Sequence, residues 1–124
     1  MTTHPPKSLL VIDDDEAVRD AFILAARRLK QTIRTAESGP EGLARVAEQR
    51  PDVIFLDLKM PGMDGVETLR RLLALDPTLV VYLVTGHYED YLEPLKQAAN
   101  DGLTFEVTSK PLSRKQLLEI LDGL

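Results

Sequence analysis

Short strand-like segments alternate with stretches of helical periodicity five times along the chain, and this alternation constrains the fold more than any other feature. Residues 8–13 form an apolar run that ends in acids. Residues 14–30 follow, with Val18, Phe22, Ala25, Ala26 and Leu29 at the spacing of one helical face. Residues 32–36 are a short β-branched segment. Ser38, Gly39, Pro40 and Glu41 then read as a cap and turn opening a second helix, which carries Leu43, Val46 and Ala47 and stops before Pro51. Residues 52–57 are a third strand, followed by a loop with Pro61 and Gly62 and a helix over 64–75 that Asp76 and Pro77 stop. Residues 79–85 are a fourth strand. A loop over 86–89 leads to a helix over 90–100 that closes at Gly102, a natural C-terminal stop. Residues 105–109 are a weak fifth strand, and 113–121 the last helix.

Alternation at this spacing predicts a parallel sheet covered by helices on both faces. The strands read as continuous apolar runs, as strands buried on two sides do. Five units cannot close an eight-stranded barrel. The expected fold is therefore an open, doubly wound α/β sheet, a flavodoxin-like (βα)5 arrangement with strand order 2-1-3-4-5. The 124 residues amount to one domain, read here as residues 8–124 behind a disordered tail of residues 1–7. Cysteine is absent, which excludes disulfides and thiolate metal sites. A net charge of −5 argues against direct nucleic-acid binding by this domain. No apolar run approaches the length needed to span a bilayer, and residues 1–7 lack the apolar stretch of a signal peptide. A cytoplasmic protein without membrane contact is expected.

In an open α/β sheet, ligands bind beyond the carboxyl ends of the strands. Strand 1 ends in Asp13, Asp14 and Asp15, strand 3 in Asp57, strand 4 in Thr85 and Gly86, and strand 5 in Lys110 and Pro111. Several carboxylates, a hydroxyl and an ammonium thus converge on one edge. Crowded carboxylates repel, and a hard divalent cation with oxygen ligands relieves that repulsion. Mg2+ held by carboxylates together with phosphate oxygens suits this set. Taken singly, each residue has a plainer role: Asp15 and Glu16 read as acids of a helix's first turn, Thr85 as a strand residue, Lys110-Pro111 as a turn. Their joint placement at four strand ends argues for a site. Glycine-rich phosphate cradles and the nucleophile elbow of hydrolases are missing from the sequence. His4 sits in the tail, away from this set.

The segments Val11-Ile12-Asp13-Asp14-Asp15, Phe55-Leu56-Asp57-Leu58-Lys59-Met60-Pro61-Gly62-Met63-Asp64-Gly65, Leu83-Val84-Thr85-Gly86-His87 and Ser109-Lys110-Pro111 together resemble the response regulator receiver domains of two-component signalling. The resemblance runs from about Ser8 to Leu121. It implies that Asp57 accepts a phosphoryl group from the phosphohistidine of a sensor histidine kinase or phosphotransfer protein, or from a small phosphodonor. It implies Mg2+ on Asp14, Asp57 and the backbone carbonyl of Lys59, with Asp13 assisting through a water. Lys110 would pair with the phosphoryl oxygens, Thr85 would shift to hydrogen-bond them, and a cis peptide would precede Pro111. The chain would then be a signalling switch that catalyses only its own phosphorylation and dephosphorylation. The face of helix 4, strand 5 and helix 5 would control an effector, an output domain or a phosphorylation-dependent homodimer.

The sequence departs from that pattern on strand 5. The position three before the lysine, where receivers commonly carry an aromatic switch residue, is Val107, and the nearest aromatic is Phe105. Gly86 leaves little cover over the acceptor. Lys59 and His87, two residues after Asp57 and Thr85, are candidates for tuning phosphoryl lifetime. Tyr88 and Tyr91, beside Leu92 and Leu95, divide between core and an exposed partner patch. The alternative function is a receiver-like docking or dimerisation module that works without phosphorylation. A phosphatase of small phosphoesters is disfavoured, because its second Asp would stand where Lys59 does.

Overall fold

A computed structural model describes residues 7–110 and 112–124. The elements run β1 (Ser8–Ile12), α1 (Glu16–Arg28), β2 (Thr32–Ala36), α2 (Gly39–Glu48), β3 (Val53–Leu56), α3 (Gly65–Leu75), β4 (Val81–Thr85), a 3-10 turn (Tyr88–Tyr91), α4 (Leu92–Asn100), β5 (Glu106–Ser109) and α5 (Arg114–Asp122). All strands pair in parallel, in the order β2-β1-β3-β4-β5. The expected flavodoxin-like (βα)5 sheet is the fold observed. Residues 1–6 of the expected tail and the Pro111 expectation lie outside the described residues.

Alternate strand residues point to opposite faces, and they sort the core into two clusters. Leu10, Ile12, Ile54, Leu56, Val81 and Leu83 pack under α2, α3 and α4 through Val46, Val66, Leu69, Leu72 and Leu95. Leu9, Val11, Val53, Phe55 and Val84 pack under α1 and α5 through Phe22, Ala25, Ala26, Leu117 and Leu121. The expectation that every strand is buried on both faces holds for β1, β3 and most of β4. It fails for β2 and β5, which lie at the sheet edges and are largely exposed or half-buried. Their sequences, Thr-Ile-Arg-Thr-Ala and Glu-Val-Thr-Ser, carry polar residues where an edge strand meets water.

Helix starts follow their caps. Asp15, Ser38, Asp64 and Ser113 each accept a hydrogen bond from a first-turn N–H, and Ser113 with Gln116 forms a capping box. The expected helix over 90–100 begins later, at Leu92, behind the 3-10 turn. A helix starting at Asp90 would need an N–H on residue 94 to reach the Asp90 carbonyl. Residue 94 is proline, which has none, so Pro94 is confined to the first turn of α4. Two helices end in the same paired hydrogen bonds across a left-handed residue. At α4 that residue is Gly102 (φ +90), and at α1 it is Lys30 (φ 58). The bonds Gly102 N to Ala99 O and Leu103 N to Ala98 O are matched by Lys30 N to Arg27 O and Gln31 N to Ala26 O.

Candidate functional site

The topology brings the carboxyl ends of β1, β3, β4 and β5 side by side, and with them the residues singled out from the sequence. Asp13 follows β1 and is 2% exposed; Asp57 follows β3 and is 6% exposed. Asp14 is exposed beside them, and carboxylate oxygens of Asp13, Asp14 and Asp57 lie within 4.8 Å of one another. Asp15 is apart from this set: it caps α1, its side chain accepting from Ala17 N at 2.9 Å. Lys110 reaches in from the end of β5, with Nζ 2.7 Å from Asp13 Oδ2 and 3.5 Å from Asp57 Oδ1. Thr85 is buried at the end of β4, its Oγ1 accepting from His87 N at 2.9 Å. The Thr85 carbonyl accepts from Lys110 N at 2.8 Å, so one backbone bond couples the hydroxyl and the ammonium.

The electrostatics follow from this packing. Burial raises the Asp57 carboxyl above its ordinary range, and the neighbouring charge of Asp13 adds to the effect. The Lys110 ammonium and the Leu58 N–H oppose it. For Lys110, burial acts to lower the pKa. The hydrogen bond and charge of Asp13, then Asp57, outweigh it and hold the ammonium above its usual value. When ionised, three carboxylates against one ammonium leave two negative charges, which a divalent cation would balance. The donors are all oxygen, as a hard cation requires. Two ligands on one octahedral Mg2+ sit at most about 4.2 Å apart, given bonds near 2.1 Å. Carboxylate oxygens within 4.8 Å of one another are close enough for one hard cation to draw on them, directly or through bound water. Asp13, Asp14 and Asp57 are the residues that would hold it.

Lys59 and His87 are both exposed and line, with Asp14, Met60 and Pro61, a hollow of about 420 Å³ on one side of the cluster. His87 Nδ1 is 3.6 Å from Asp90 Oδ2, an ion pair when the imidazole is protonated. On the other side Gly86 opens a second hollow, lined also by Thr85, Tyr88, Glu89, Asp90, Ser109 and Lys110. Strand β5 separates its two switch candidates from the hydroxyl. Ser109 pairs with Thr85 and Val107 with Leu83, so Val107 is two residues short of the site and is 37% exposed. Phe105 precedes β5 and packs, half-buried, against the core under α4. Tyr91 and Leu95 join that core, while Tyr88 is 40% exposed.

Two residues outside the expected set support the site. Gly65, the first residue of α3, donates to Leu58 O at 2.7 Å. A Cβ there would stand 2.2 Å from Asp57 O and 2.5 Å from Leu58 Cα, so only glycine lets α3 abut the acceptor's backbone. Arg19 on α1 donates to the carbonyl of Asp13. The helical spacing that placed Arg19 on α1 could not reveal this, because the bond folds back onto the preceding turn.

Comparison with known proteins agrees with the geometry. Residues 9–122 match the response regulator receiver domain family, and the chain belongs to it. The transcriptional regulatory protein AfsQ1 of Streptomyces coelicolor is 37% identical over 109 residues, which cover 87% of this chain and 48% of that protein. The DNA-binding transcriptional regulator NtrC of Salmonella typhimurium is 32% identical over 90% of this chain and 23% of its own length. The chain thus spans only a quarter to a half of these relatives. A CheY-like receiver domain protein from Methanospirillum hungatei superposes with a TM-score of 0.83 at 28% identity, over 96% of this chain and 93% of that one. The chain is a receiver domain of the response regulators of two-component signalling, which implies a phosphoacceptor role. No described helix is long and apolar enough to cross a membrane.

Proposed function

We propose that Asp57 accepts a phosphoryl group from a histidine kinase's phosphohistidine, or from a small donor such as acetyl phosphate. One observation carries this reading: a buried carboxylate in contact with a lysine, inside a three-carboxylate cluster, at the mouth of a receiver sheet. An Asp57 oxygen attacks phosphorus as the phosphorus–nitrogen bond of the donor breaks, and the departing imidazole takes a proton. Bound Mg2+ would neutralise charge on the transferring group. Lys110, already shared between Asp13 and Asp57, would offer its ammonium to the new oxygens. The Thr85 hydroxyl accepts from His87 N and keeps its own proton to donate to a phosphoryl oxygen.

Phosphorylation replaces the single negative charge of the Asp57 carboxylate with about −2 on the acyl phosphate, a net gain of about one negative charge at the mouth of the sheet. Movement of Thr85 would carry the loop that follows β4, and with it the surface of α4, β5 and α5, toward an effector, an output domain or a second copy. Lys59 and His87, which line one hollow beside the cluster together, tune the lifetime of the phosphoryl group. With these roles the chain would act in the cytoplasm, alongside its kinase. The exposed Val107, with no aromatic at its position, keeps a phosphorylation-independent docking module as the second reading.

Intact mass after incubation with acetyl phosphate and Mg2+ tests the proposal. The expected result is a gain of one phosphoryl group that EDTA and Asp57→Asn each abolish. A gain that survives Asp57→Asn overturns it. If acetyl phosphate adds nothing, NMR with beryllofluoride and Mg2+ decides: unmoved Thr85 and β5 resonances would leave the docking module.

A further inference from the structure

Asp13 has four polar groups, and the fold occupies each of them. Its N–H donates to Ala36 O at 3.0 Å, Oδ1 accepts from Asp15 N at 3.0 Å, and Oδ2 accepts from Lys110 Nζ at 2.7 Å. The fourth group, the main-chain carbonyl, accepts from Arg19 Nη1 at 2.9 Å. Arg19 lies one turn into α1, its own N–H bonded to Asp15 O at 3.1 Å, and its side chain is only 12% exposed. Its second nitrogen, Nη2, is 3.3 Å from Glu37 Oε1 in the connection between β2 and α2. One guanidinium therefore fastens the turn that bears Asp13 and Asp14 to the neighbouring connection.

A largely buried cation bonded to the main chain of one of the clustered acids works against a site that binds metal by charge alone. Among the described residues, the Arg19 hydrogen bonds go to a carbonyl and to Glu37, and to none of the three clustered carboxylates. Burial of a guanidinium is tolerated where its donors are satisfied. Here one donor is met by the Asp13 carbonyl, in the backbone that carries the cluster, and another by Glu37. We infer that Arg19 is a positioning residue for the cation-binding carboxylates: by holding the Asp13 carbonyl it keeps the oxygens of Asp13, Asp14 and Asp57 within reach of one ion. The inference rests on reading that cluster as a Mg2+ site.

Charge and positioning predict opposite signs. Removing a positive charge beside the cluster tightens Mg2+ binding through charge alone. Removing an anchor of the ligand-bearing turn weakens it, as loss of outer-shell support of metal ligands does. Arg19→Met keeps an unbranched apolar stem and deletes both the charge and the donors. Arg19→Lys keeps the charge and replaces a planar fork by one flexible donor. Mg2+ affinity is read by NMR titration of the folded protein, with a thermal melt showing that each variant is folded at the assay temperature.

Arg19→Met is expected to weaken Mg2+ about 10-fold, and Arg19→Lys about threefold. Unchanged affinity in both variants, or tighter binding in Arg19→Met, overturns the inference. Should Arg19→Met be unfolded, Arg19→Lys alone decides, because a role through charge leaves its affinity unchanged. Failure of the Mg2+ reading itself looks different: the wild-type protein would show no saturable Mg2+ binding.

Discussion

Replacing Gly65 by alanine should damage the site through its backbone while leaving every proposed reacting side chain in the sequence. The added Cβ would meet Asp57 O at 2.2 Å, Leu58 Cα at 2.5 Å and Asp57 C at 2.9 Å. All three are backbone atoms, so no rotamer change relieves the overlap, and α3 or the end of β3 must move by about 1 Å to restore ordinary contact. Overpacking of this kind costs about 1–3 kcal/mol. The Gly65 N to Leu58 O bond, 2.7 Å long, is strained with it and contributes about 1 kcal/mol more. A total near 3 kcal/mol lowers the melting temperature by about 10 °C for a domain of this size. Because the displaced atoms belong to the acceptor residue, phosphorylation at saturating Mg2+ should also slow by about 100-fold. Chemical denaturation and the rate of mass gain with acetyl phosphate measure the two effects. Gly86→Ala is the control, since its Cβ would meet only Lys110 Cβ at 3.7 Å, and it should be neutral in stability. Gly65→Ala within about 0.5 kcal/mol of wild type, with an unchanged rate, would refute the reasoning.

Other expectations follow from the same geometry. Without divalent cations, Asp57→Asn should stabilise the fold by about 0.5–2 kcal/mol at pH 7, as removal of a strained functional charge commonly does. The Asp57 carboxyl is raised by burial and Asp13, so its contribution is full below 3.8, its ordinary value, and is lost as pH rises through the native value. The gain from asparagine should therefore grow with pH in denaturation curves, and a loss of stability would contradict it. Lys30→Gly should stabilise by about 1 kcal/mol, because Lys30 occupies the left-handed position that glycine fills at α4; an unchanged urea midpoint would count against this. The Asp76 carboxyl is held down to about 2 by the Thr78 hydroxyl, then by Arg50 and the Thr78 N–H. Its contribution to stability is complete above 3.8 and lost as pH falls toward 2. Asp76→Asn should flatten acid unfolding in that window, visible by circular dichroism.

The sheet and the acidic edge were legible because burial leaves a plain signature. β1, β3 and β4 are short unbroken apolar runs, and each delivers a polar residue at its carboxyl end. β2 and β5 were weaker because an edge strand buries less and tolerates Arg34, Thr35, Glu106 and Thr108. The late start of α4 was readable in principle from Pro94, whose missing N–H forbids the earlier turn. The support of Asp13 by Arg19, and of Asp57 by the absence of a Cβ at Gly65, was not readable. Both depend on distances between a helix and the turn it follows or abuts, and periodicity says nothing of these. The two switch candidates at β5, one on the strand and one before it, illustrate the same limit. Val107 and Phe105 share a strand parity, yet the register sets Val107 opposite Leu83 and leaves Phe105 before the strand begins.

The central claim is that the phosphoryl group resides on Asp57 and arrives there with Mg2+. Borohydride reduction of the phosphorylated protein converts an aspartyl phosphate to homoserine, and peptide mapping locates it. The account predicts homoserine at position 57 alone, formed with Mg2+ present and missing when EDTA is added first. Homoserine at Asp13 or Asp14, or equal yield without a divalent cation, would contradict it.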